Sequence, residues 1–413
     1  MPEAVPSLSH IQAYCEVARR GSVSAAARAV HRSQPAVTQA VAALERALGA
    51  PLFLRSSVGV TPTAAGAIAL ARCLRLLQQL DEGIGALRRG RVRDRAAPWR
   101  SISFTQLQAL IAVVQAGGFS AAARVLGQAR ATVHRATRSL ERALDVPLFE
   151  QTSFGVGTTR AAAELARCAL LALHEIEQAR VEVAALGGGD RGRTVIGAMP
   201  LARSVLVPRT VLAFMPQHPH HTVCILDGPY DRMLADLRTG AADLLVGALR
   251  VPVPGEDIVQ EHLFDDALAV AVRRGHPLAR RRHATSSGAG LSRMGRYPWI
   301  VARPGTPLRG QFDALFDTDR SAAPASTIEC NSMVAARGML LASDCLMLAS
   351  ANQVHHELST GELKLLPHPL GRRVRAIGLT TRRGWQPTAA QQCLLETLRA
   401  QARATTGVAG GLP

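Results

Sequence analysis

Apolar residues recur at spacings of three and four along Leu8–Arg20, and the same spacing returns along Phe104–Ala116. This period predicts an amphipathic helix in each stretch, with its apolar side against a core. Glycine follows both stretches, Gly21 in the first and Gly117 in the second, and glycine readily adopts the left-handed conformation that ends a helix. The beginning of the chain therefore predicts the same local structure twice.

The repetition covers a whole supersecondary unit. Ser24–Phe53 (copy one) and Ser120–Phe149 (copy two), offset by 96 residues, both read S-A-A-A-R near the start, L-E-R-A-L in the middle and P-L-F at the end. The opening serine of each stretch is predicted to cap a short helix of small residues, which crosses a third helix closely and leaves it exposed for the major groove of DNA. Extended segments follow, so residues 6–63 and 102–159 are each predicted to fold as a winged helix-turn-helix domain.

A long helix is predicted after each winged domain. The first, Ala64–Leu87, belongs to a linker segment at residues 64–100, and the second, Ala161–Leu186, to a segment at residues 160–190 that ends in a glycine-rich hinge. The Arg-rich run after the first helix fits either a DNA contact or a solvated tether. The first helix also carries an apolar stripe that fits either a domain core or a dimer seam, formed by Leu70, Leu74, Leu77, Leu80 and Ile84.

Beyond the hinge, the pattern changes to short apolar runs that alternate with helical stretches. Strands predicted at Thr194–Ala198, Thr222–Leu226 and Asp243–Gly247 are separated by helices, including one over Ser204–Phe214, which is typical of an α/β domain with a mainly parallel sheet. The predicted fold class is therefore α/β multidomain, with two winged helix-turn-helix domains and their long linker helices followed by an α/β domain at residues 191–405.

Length and charge narrow the class of partner. The 413 residues suit two to four domains, and a formal net charge of +17 favours an anionic partner, either nucleic acid or a membrane surface. No apolar run approaches the ~20 residues of a membrane span and the N-terminus lacks the features of a secretion signal, so we expect a cytoplasmic protein with no membrane partner. Residues 1–100 hold 14 arginines and 6 acidic residues, whereas residues 101–190 hold 8 of each, so copy one is better suited to phosphate.

Other classes of function lack their motifs. The sequence contains no G-x-S-x-G, phosphate-binding loop, dinucleotide fingerprint or His/Glu metal spacing, so we expect no enzyme, no cofactor and no metal site. A transport-type solute receptor would need an export signal. The seven cysteines lie far apart, which favours buried free thiols and leaves a redox sensor as the alternative.

The third helix of copy one carries the candidate DNA contacts. Pro35 lies in its first turn, where the missing N–H costs nothing, and Val37, Val41 and Leu44 are predicted to face inward. Glutamine suits the donor and acceptor pair of adenine in the major groove, and Arg55 is predicted to reach the DNA backbone or the minor groove from the wing. The predicted contacts of copy one are Ser33, Gln34, Pro35, Ala36, Thr38, Gln39 and Arg55.

Copy two departs from copy one at positions assigned to DNA contact. Gln151 stands where copy one has Arg55, and Ala162 stands where it has Gly66. We predict a residual, largely sequence-independent contact from copy two, and the alternative is a domain retained only for its dimerising helix. Its third helix keeps a positive face, and the predicted contacts are Arg130, Thr132, His134, Arg135 and Arg138.

The stretch Ser22–Arg55, followed by the Thr-x-x-Gly element Thr63–Gly66, resembles the LysR-type transcriptional regulators. The resemblance implies that this unit binds double-stranded DNA. It also implies that the helix Ala64–Leu87 pairs two subunits, which favours the dimer seam over the core and a homo-oligomer, either a dimer or a tetramer. RNA polymerase is a further partner that the resemblance allows.

The region beyond the hinge resembles the effector-binding region of the same family, which is similar to two-lobed periplasmic binding proteins. The matching pieces are Val207–Pro208, Phe214–Pro219, Leu237–Leu244 and Gly275–Leu278. The resemblance implies a second lobe at about residues 271–374 and a small polar or anionic effector between the lobes, where helix N-termini offer N–H groups. The candidate effector contacts, of which the arginine would pair with a carboxylate, are Pro200, Leu201, Arg203, Ser204, Gly228, Tyr230, Thr306, Asn331 and Ser332.

These features predict a sequence-specific DNA-binding transcriptional regulator of the LysR type whose activity a small molecule controls. Effector binding would change the closure of the two lobes and, through it, the geometry of the winged domains on DNA. The alternative is a cytosolic small-molecule-binding protein whose second winged domain serves only for dimerisation.

Overall fold

The computed structural model describes residues 6–56, 59–87, 98–153, 155–189, 191–280, 288–317, 323–324, 326–371 and 373–409. The chain divides into two compact units, Met1–Gly192 and Arg193–Pro413, which are described separately below. The predicted Arg-rich run, residues 88–95, lies outside the described residues.

Unit one contains the two predicted winged helix-turn-helix domains. Copy one consists of α1 (Leu8–Arg20), α2 (Val23–Ala29), α3 (Gln34–Leu48), β1 (Phe53–Ser56) and β2 (Gly59–Pro62), and the long helix α4 (Ala64–Leu87) follows it. Copy two repeats this order with α5 (Phe104–Ala116), α6 (Phe119–Leu126), α7 (Arg130–Leu144), β3 (Phe149–Thr152), β4 (Gly155–Thr158) and the long helix α8 (Arg160–Ala185). In both copies the two short strands pair antiparallel and form the wing.

The second helix of each copy begins earlier than the sequence predicts. Ser22, rather than Ser24, caps α2 by accepting a hydrogen bond from the backbone N–H of Ala25. In copy two the cap is Gly118 instead of Ser120, and α6 starts with Phe119, which is buried. Burial of that aromatic ring in the first turn explains the earlier start, because the turn has to bring the side chain onto the core.

The glutamate of each L-E-R-A-L motif ties its helix to the following P-L-F segment. The carboxylate of Glu45 accepts the backbone N–H of Leu52 at 2.9 Å. In copy two, Glu141 accepts the N–H groups of both Leu148 and Phe149, at 2.8 and 3.1 Å. A buried N–H without a partner costs free energy, so this acidic position maintains the fold and explains why both copies retain it.

Gly66 belongs to the packing of copy one, so its replacement in copy two is not a lost DNA contact. A Cβ atom at this position would lie 2.1 Å from the carbonyl oxygen of Leu52, and the Gly66 carbonyl accepts the Tyr14 hydroxyl at 2.5 Å. Ala162, its counterpart, is fully buried in copy two. The close approach of two backbone segments therefore requires glycine in copy one only.

The apolar side of α4 packs against α8 inside unit one, which corrects the expectation of a seam between subunits. Leu80 and Ile84 of the predicted stripe are buried, but Leu74 is 51% exposed. The buried side also includes Cys73 and Leu76, and it shares one hydrophobic cluster with both copies. Periodicity located an apolar face on this helix correctly, but the covering partner is the second long helix of the same chain.

Charged residues are buried between α4 and α8. The guanidinium of Arg72 donates to Glu175 at 3.0 Å and to Glu182 at 2.7 Å, and Arg75 donates to Glu175 at 3.1 Å. Arg72 is only 4% exposed. Gly83 lies so close to α8 that an added Cβ would be 2.6 Å from the Cβ of Cys168. Both features require these two helices to meet in one register.

Unit two is an α/β domain whose described strands form a single nine-stranded sheet. Its first lobe contains β5 (Arg193–Ala198), α9 (Pro200–Ser204), α10 (Leu206–Phe214), β6 (Thr222–Leu226), α11 (Tyr230–Thr239), β7 (Leu244–Ala248) and the last helix, α16 (Ala389–Ala409). The second lobe contains α12 (Gly288–Met294), β9 (Trp299–Val301), α13 (Pro307–Phe316), β10 (Thr327–Glu329), α14 (Met333–Ala342), β11 (Leu346–Ser350), α15 (His355–Ser359) and β12 (Leu363–Leu366). Two long strands, β8 (Ile258–Arg273) and β13 (Arg373–Arg382), join the lobes.

The sheet is mixed rather than mainly parallel. Parallel pairs join β5 to β6 and β7 in the first lobe, and β9 to β10 and β11 in the second. The two crossing strands pair antiparallel with each other and with their neighbours, because each returns from one lobe to the other. The helix expected over Ser204–Phe214 starts at Leu206, since Val205, with φ −136° and ψ −56°, separates it from α9.

Candidate DNA-binding helices and effector cavity

The third helix of copy one exposes the polar residues that the sequence selects. Ser33 caps α3 by accepting the N–H of Ala36, and Val37 is fully buried, as predicted. Gln34, Pro35 and Gln39 are exposed, whereas Ala36 and Thr38 are half-buried. The hydroxyl of Thr38 donates to the carbonyl of Gln34 at 3.1 Å, so it is engaged within the helix. The two glutamines are therefore exposed amide side chains on this surface.

Ser24 contributes to the orientation of Gln34, a role that the sequence did not reveal. Its hydroxyl donates to the Gln34 side-chain oxygen at 3.1 Å, across from α2 to α3. A side chain held in one rotamer loses less entropy when it binds, which favours recognition by its remaining amide hydrogens. The two partners are ten residues apart, and only the helix-turn-helix geometry brings them together.

Arg55 lies on the wing, in β1, where its backbone pairs with Val60 of β2. Its side chain lies outside the described part of the chain. The predicted reach of this arginine toward DNA therefore stays a prediction.

The third helix of copy two presents a smaller basic surface than the sequence predicts. Arg130 and Arg135 are exposed on α7, and Thr132 is half-buried. Arg138 is also exposed, but it pairs with Glu141 at 2.9 Å, which offsets its charge. The ring of His134 packs edge-on against Phe119, with the ring centroids 5.3 Å apart. Arg130 and Arg135 therefore supply most of the positive charge of this face.

A cavity of about 340 Å³ lies between the two lobes of unit two. Eight of the nine predicted effector residues line it: Pro200, Leu201, Arg203, Gly228, Tyr230, Thr306, Asn331 and Ser332. Ser204 is not among the lining residues, but its hydroxyl donates to the carbonyl of Gln353, a lining residue of the other lobe, at 3.2 Å. The predicted set therefore converges on one site, with that serine as the exception.

Arginines dominate the polar part of the cavity wall. Arg203 forms an ion pair with Asp227, so the carboxylate partner predicted for it is already present in the protein. Arg250 lies over the ring of Tyr230, 4.2 Å from its centroid, and donates to the carbonyl of Gly305 at 3.2 Å. Burial raises the pKa of the tyrosine hydroxyl, which keeps the phenol neutral. The wall holds more cationic than anionic groups.

Arg250 and a further arginine, Arg375, line the cavity although the sequence did not select them. Arg375 pairs with Asp266 at 2.9 Å across the two crossing strands; the aspartate is buried, and the arginine side chain is 10% exposed. Neither arginine belongs to a helix start, which was the signal used to choose candidates. Arg250 follows β7 and Arg375 lies near the start of β13, so the ends of strands would have been a second useful signal.

The capping residues of the second lobe accept hydrogen bonds from backbone N–H groups of the helices that they cap. Thr306 accepts the N–H of Arg309, and Ser332 accepts the N–H of Ala335. The side-chain oxygen of Asn331 accepts the N–H of Arg303 at 3.1 Å. These residues shape the cavity, but their acceptor oxygens already serve the helices and loops around it.

The cysteines are free, and Cys15, Cys73, Cys168 and Cys345 are buried. A hydrogen bond with Cys15 and burial raise the pKa of the Cys73 thiol, which disfavours the reactive thiolate. Among the described residues there is no group of His, Cys, Asp and Glu that could hold a metal ion. None of the helices described in either unit is long and apolar enough to cross a membrane.

Two winged helix-turn-helix domains, followed by a two-lobed domain with a cavity between its lobes, define a DNA-binding regulator controlled by a small molecule. Residues 8–67 and 104–163 each match the bacterial regulatory helix-turn-helix protein, lysR family, and residues 187–403 match the LysR substrate binding domain. The chain belongs to the LysR family of transcriptional regulators. Its members and relatives are regulators rather than enzymes, so the predicted family, function and non-enzymatic role are confirmed.

Similar proteins cover most of the chain. The HTH-type transcriptional regulator GalR of Pseudomonas putida is 33% identical over 395 residues, which cover 96% of this chain and 97% of GalR. PcaQ of Agrobacterium fabrum is 26% identical over 301 residues, covering 72% of this chain and 94% of PcaQ. Among solved structures, ArgP from Mycobacterium tuberculosis aligns with a TM-score of 0.55 at 19% identity, over 72% of this chain and 96% of ArgP. The alignment with ArgP supports the fold described above.

Proposed function

We propose that α3 of copy one is the principal reader of operator DNA and that a small organic anion in the lobe cavity regulates the protein. The observation that carries the first part is the exposed pair Gln34 and Gln39 on a capped helix whose opposite face is buried. Glutamine can make a bidentate contact with adenine in the major groove. Arg55, on the wing of the same domain, supplies a phosphate or minor-groove contact.

Gln34→Ala and Arg55→Ala are expected to weaken operator binding, each by about 1–3 kcal/mol. The glutamine variant should relax base preference, and the arginine variant should make binding less dependent on salt, because one phosphate contact fewer releases fewer counterions. Gel-shift titrations at several salt concentrations measure both effects. Gln78→Ala, an exposed glutamine on α4, is the control and should bind as wild type. Unchanged binding by both test variants would rule out copy one as the reader.

Copy two is proposed to add a weaker contact that depends little on sequence. The exposed Arg130 and Arg135 support this, and the ion pair of Arg138 limits it. A triple Arg130, Arg135 and Arg138→Ala variant should shorten the footprint and lose less affinity than Arg55→Ala on the same operator. A larger, sequence-specific loss in the triple variant would make copy two the principal reader, and no loss would favour a domain kept only for its long helix.

The effector is proposed to be a carboxylate with an apolar body. Arg203, Arg250 and Arg375 reach the cavity, while Met199, Leu201 and Phe312 supply apolar surface. An anion there would compete with Asp227 for the first arginine. Coupling of about 1–3 kcal/mol between cavity and DNA would change operator occupancy several-fold or more.

Arg250→Ala is expected to weaken binding of a matching carboxylate at least tenfold, about 1.4 kcal/mol, because a charged hydrogen bond is removed from a partly enclosed site. The measurement is calorimetry of the full chain against a panel of small organic acids and their neutral amides. Arg232→Ala, an exposed arginine paired with Asp236 outside the cavity, is the control. Amides that bind as tightly as acids would contradict the anionic class.

The remaining partners follow from the family. We propose that the protein acts in the cytoplasm as a homo-oligomer, a dimer or tetramer, and contacts RNA polymerase at the promoters that it controls. Analytical ultracentrifugation with and without operator DNA measures the assembly state. A monomer under both conditions would contradict the oligomer.

A further inference from the structure

The two long helices are copies of each other, so their contact can be compared with the contact that two identical helices make in a symmetric dimer. In such a dimer, if residue i meets residue j, then j also meets i. Subtracting the repeat offset of 96 places Cys168 at the position of Arg72. Gly83 meets Cys168, so position 83 of copy one meets position 72 of copy two.

The reciprocal contact is present. The carboxylates that bind Arg72 belong to Glu175 and Glu182, which occupy the positions of Gln79 and Ala86 in copy one. These positions lie one helical turn on either side of Gly83. Position 72 of copy one therefore meets the region around position 83 of copy two. The α4–α8 pair is pseudo-symmetric, arranged as two copies of one helix would be about a two-fold axis.

The charges nevertheless favour the mixed pair over either identical pair. In an α4–α4 pair with the same register, Arg72 would face Gln79 and Ala86 in place of Glu175 and Glu182, and the nearby carboxylate would be that of the exposed Glu82, which lies close to Cys168. In an α8–α8 pair, Glu175 and Glu182 would face Cys168 in place of Arg72, beside Arg167, which already pairs with Glu164. Both identical pairs therefore lose the buried ion pairs of Arg72, whereas the mixed pair keeps them.

The connection between the copies favours pairing within one chain. After α4, the chain returns at Trp99, which is buried in the same hydrophobic cluster as both winged domains. Both copies and both long helices belong to one compact unit. A helix from another chain could pair with α4 only by displacing α8, which the covalent connection already holds near α4.

We propose that α4 and α8 of a single chain form the helix pair that unites two winged domains, and that Arg72 with Glu175 and Glu182 excludes pairing with the same helix of a second chain. One chain then carries a complete pair of non-identical recognition helices, α3 and α7. Any further assembly of subunits uses other surfaces. The pairing does not depend on which residues contact DNA, and it is measured without DNA.

A charge-reversal experiment in the full chain distinguishes pairing within a chain from pairing between chains. Arg72→Glu should lower the melting temperature of unit one by about 10 °C, because the new carboxylate then faces those of Glu175 and Glu182. Adding Glu182→Arg to the same chain should restore much of the loss, because it reverses the ion pair at positions 72 and 182 and leaves Arg75 paired with Glu175. Co-expression of the Arg72→Glu chain with a chain carrying only Glu182→Arg should restore nothing. Recovery on co-expression, or an unchanged melting temperature in Arg72→Glu, would overturn the proposal.

A second pair of variants tests the same contact through size, in case the charge variants do not fold. Gly83→Cys should lower the melting temperature because its side chain meets Cys168. Combining it with Cys168→Gly in one chain exchanges the two side chains and should recover stability. When the two changes are placed on separate co-expressed chains, recovery would show that the helices pair between chains.

Discussion

Replacing Gly66 by alanine is expected to destabilise copy one by about 3 kcal/mol, within the range of severe backbone clashes. The added Cβ would lie 2.1 Å from the Leu52 carbonyl oxygen and 3.2 Å from the Cβ of Pro62. A clash with backbone is not relieved by a change of rotamer, so α4 has to move away from the segment before the wing. That movement also breaks the hydrogen bond from Tyr14.

Hydrogen exchange followed by mass spectrometry measures this loss locally, because it separates copy one from the rest of the chain. Gly85→Ala on the same helix is the matched control, since an added Cβ there meets nothing within 4 Å. Alanine replaces glycine favourably inside a helix, so this control should gain about 0.5–1 kcal/mol. If Gly66→Ala and Gly85→Ala change the stability of copy one in the same direction, the close approach at Gly66 does not govern stability.

Asp266→Ala is expected to destabilise unit two by about 3 kcal/mol, because it leaves the largely enclosed guanidinium of Arg375 without its carboxylate. The aspartate is 2% exposed and also accepts the side-chain amide of Asn352 at 3.0 Å. Since Arg375 lines the cavity, the same change should weaken effector binding. The loss of stability and the loss of effector affinity would both follow from breaking the Asp266–Arg375 ion pair between β8 and β13.

The neighbouring Asp265→Ala is the control for this prediction. Asp265 pairs with His262 at 2.8 Å, but both side chains are more than half exposed. Exposed pairs contribute little, so we expect a change below about 1 kcal/mol. Urea denaturation of both variants, followed by calorimetry with a bound acid, provides the comparison. Equal destabilisation by the two changes would contradict the importance of burial.

The duplicated helical pattern was sufficient to predict the two winged domains, since each element of copy one has a counterpart 96 residues later. It did not reveal what covers α4, because an apolar face is the same whether its partner belongs to the same chain or to another. Arg72 was the informative residue, but a single arginine among leucines has no meaning until Glu175 and Glu182 are seen beside it.

The residues of the cavity wall also differ in how well the sequence alone could predict them. Helix starts are local features, and they identified residues such as Thr306 and Ser332 at the wall. Arg250 and Arg375 come from segments far apart in the chain, and the pairing of β7 with β13 brings them to the same site. Ser204 lies outside the cavity wall, and its hydroxyl instead donates to the Gln353 carbonyl, a contact between residues 149 positions apart that no local pattern predicts.

The covalent link between the paired winged domains has a consequence for a cell that contains only a few molecules of this regulator. Subunits that meet by diffusion separate when their concentration falls below their dissociation constant. Two modules in one chain instead experience an effective concentration that can reach the millimolar range, whatever the number of molecules present. The α4–α8 pair would therefore stay assembled on dilution, and occupancy of a site read by one chain would fall in proportion to protein concentration rather than to its square.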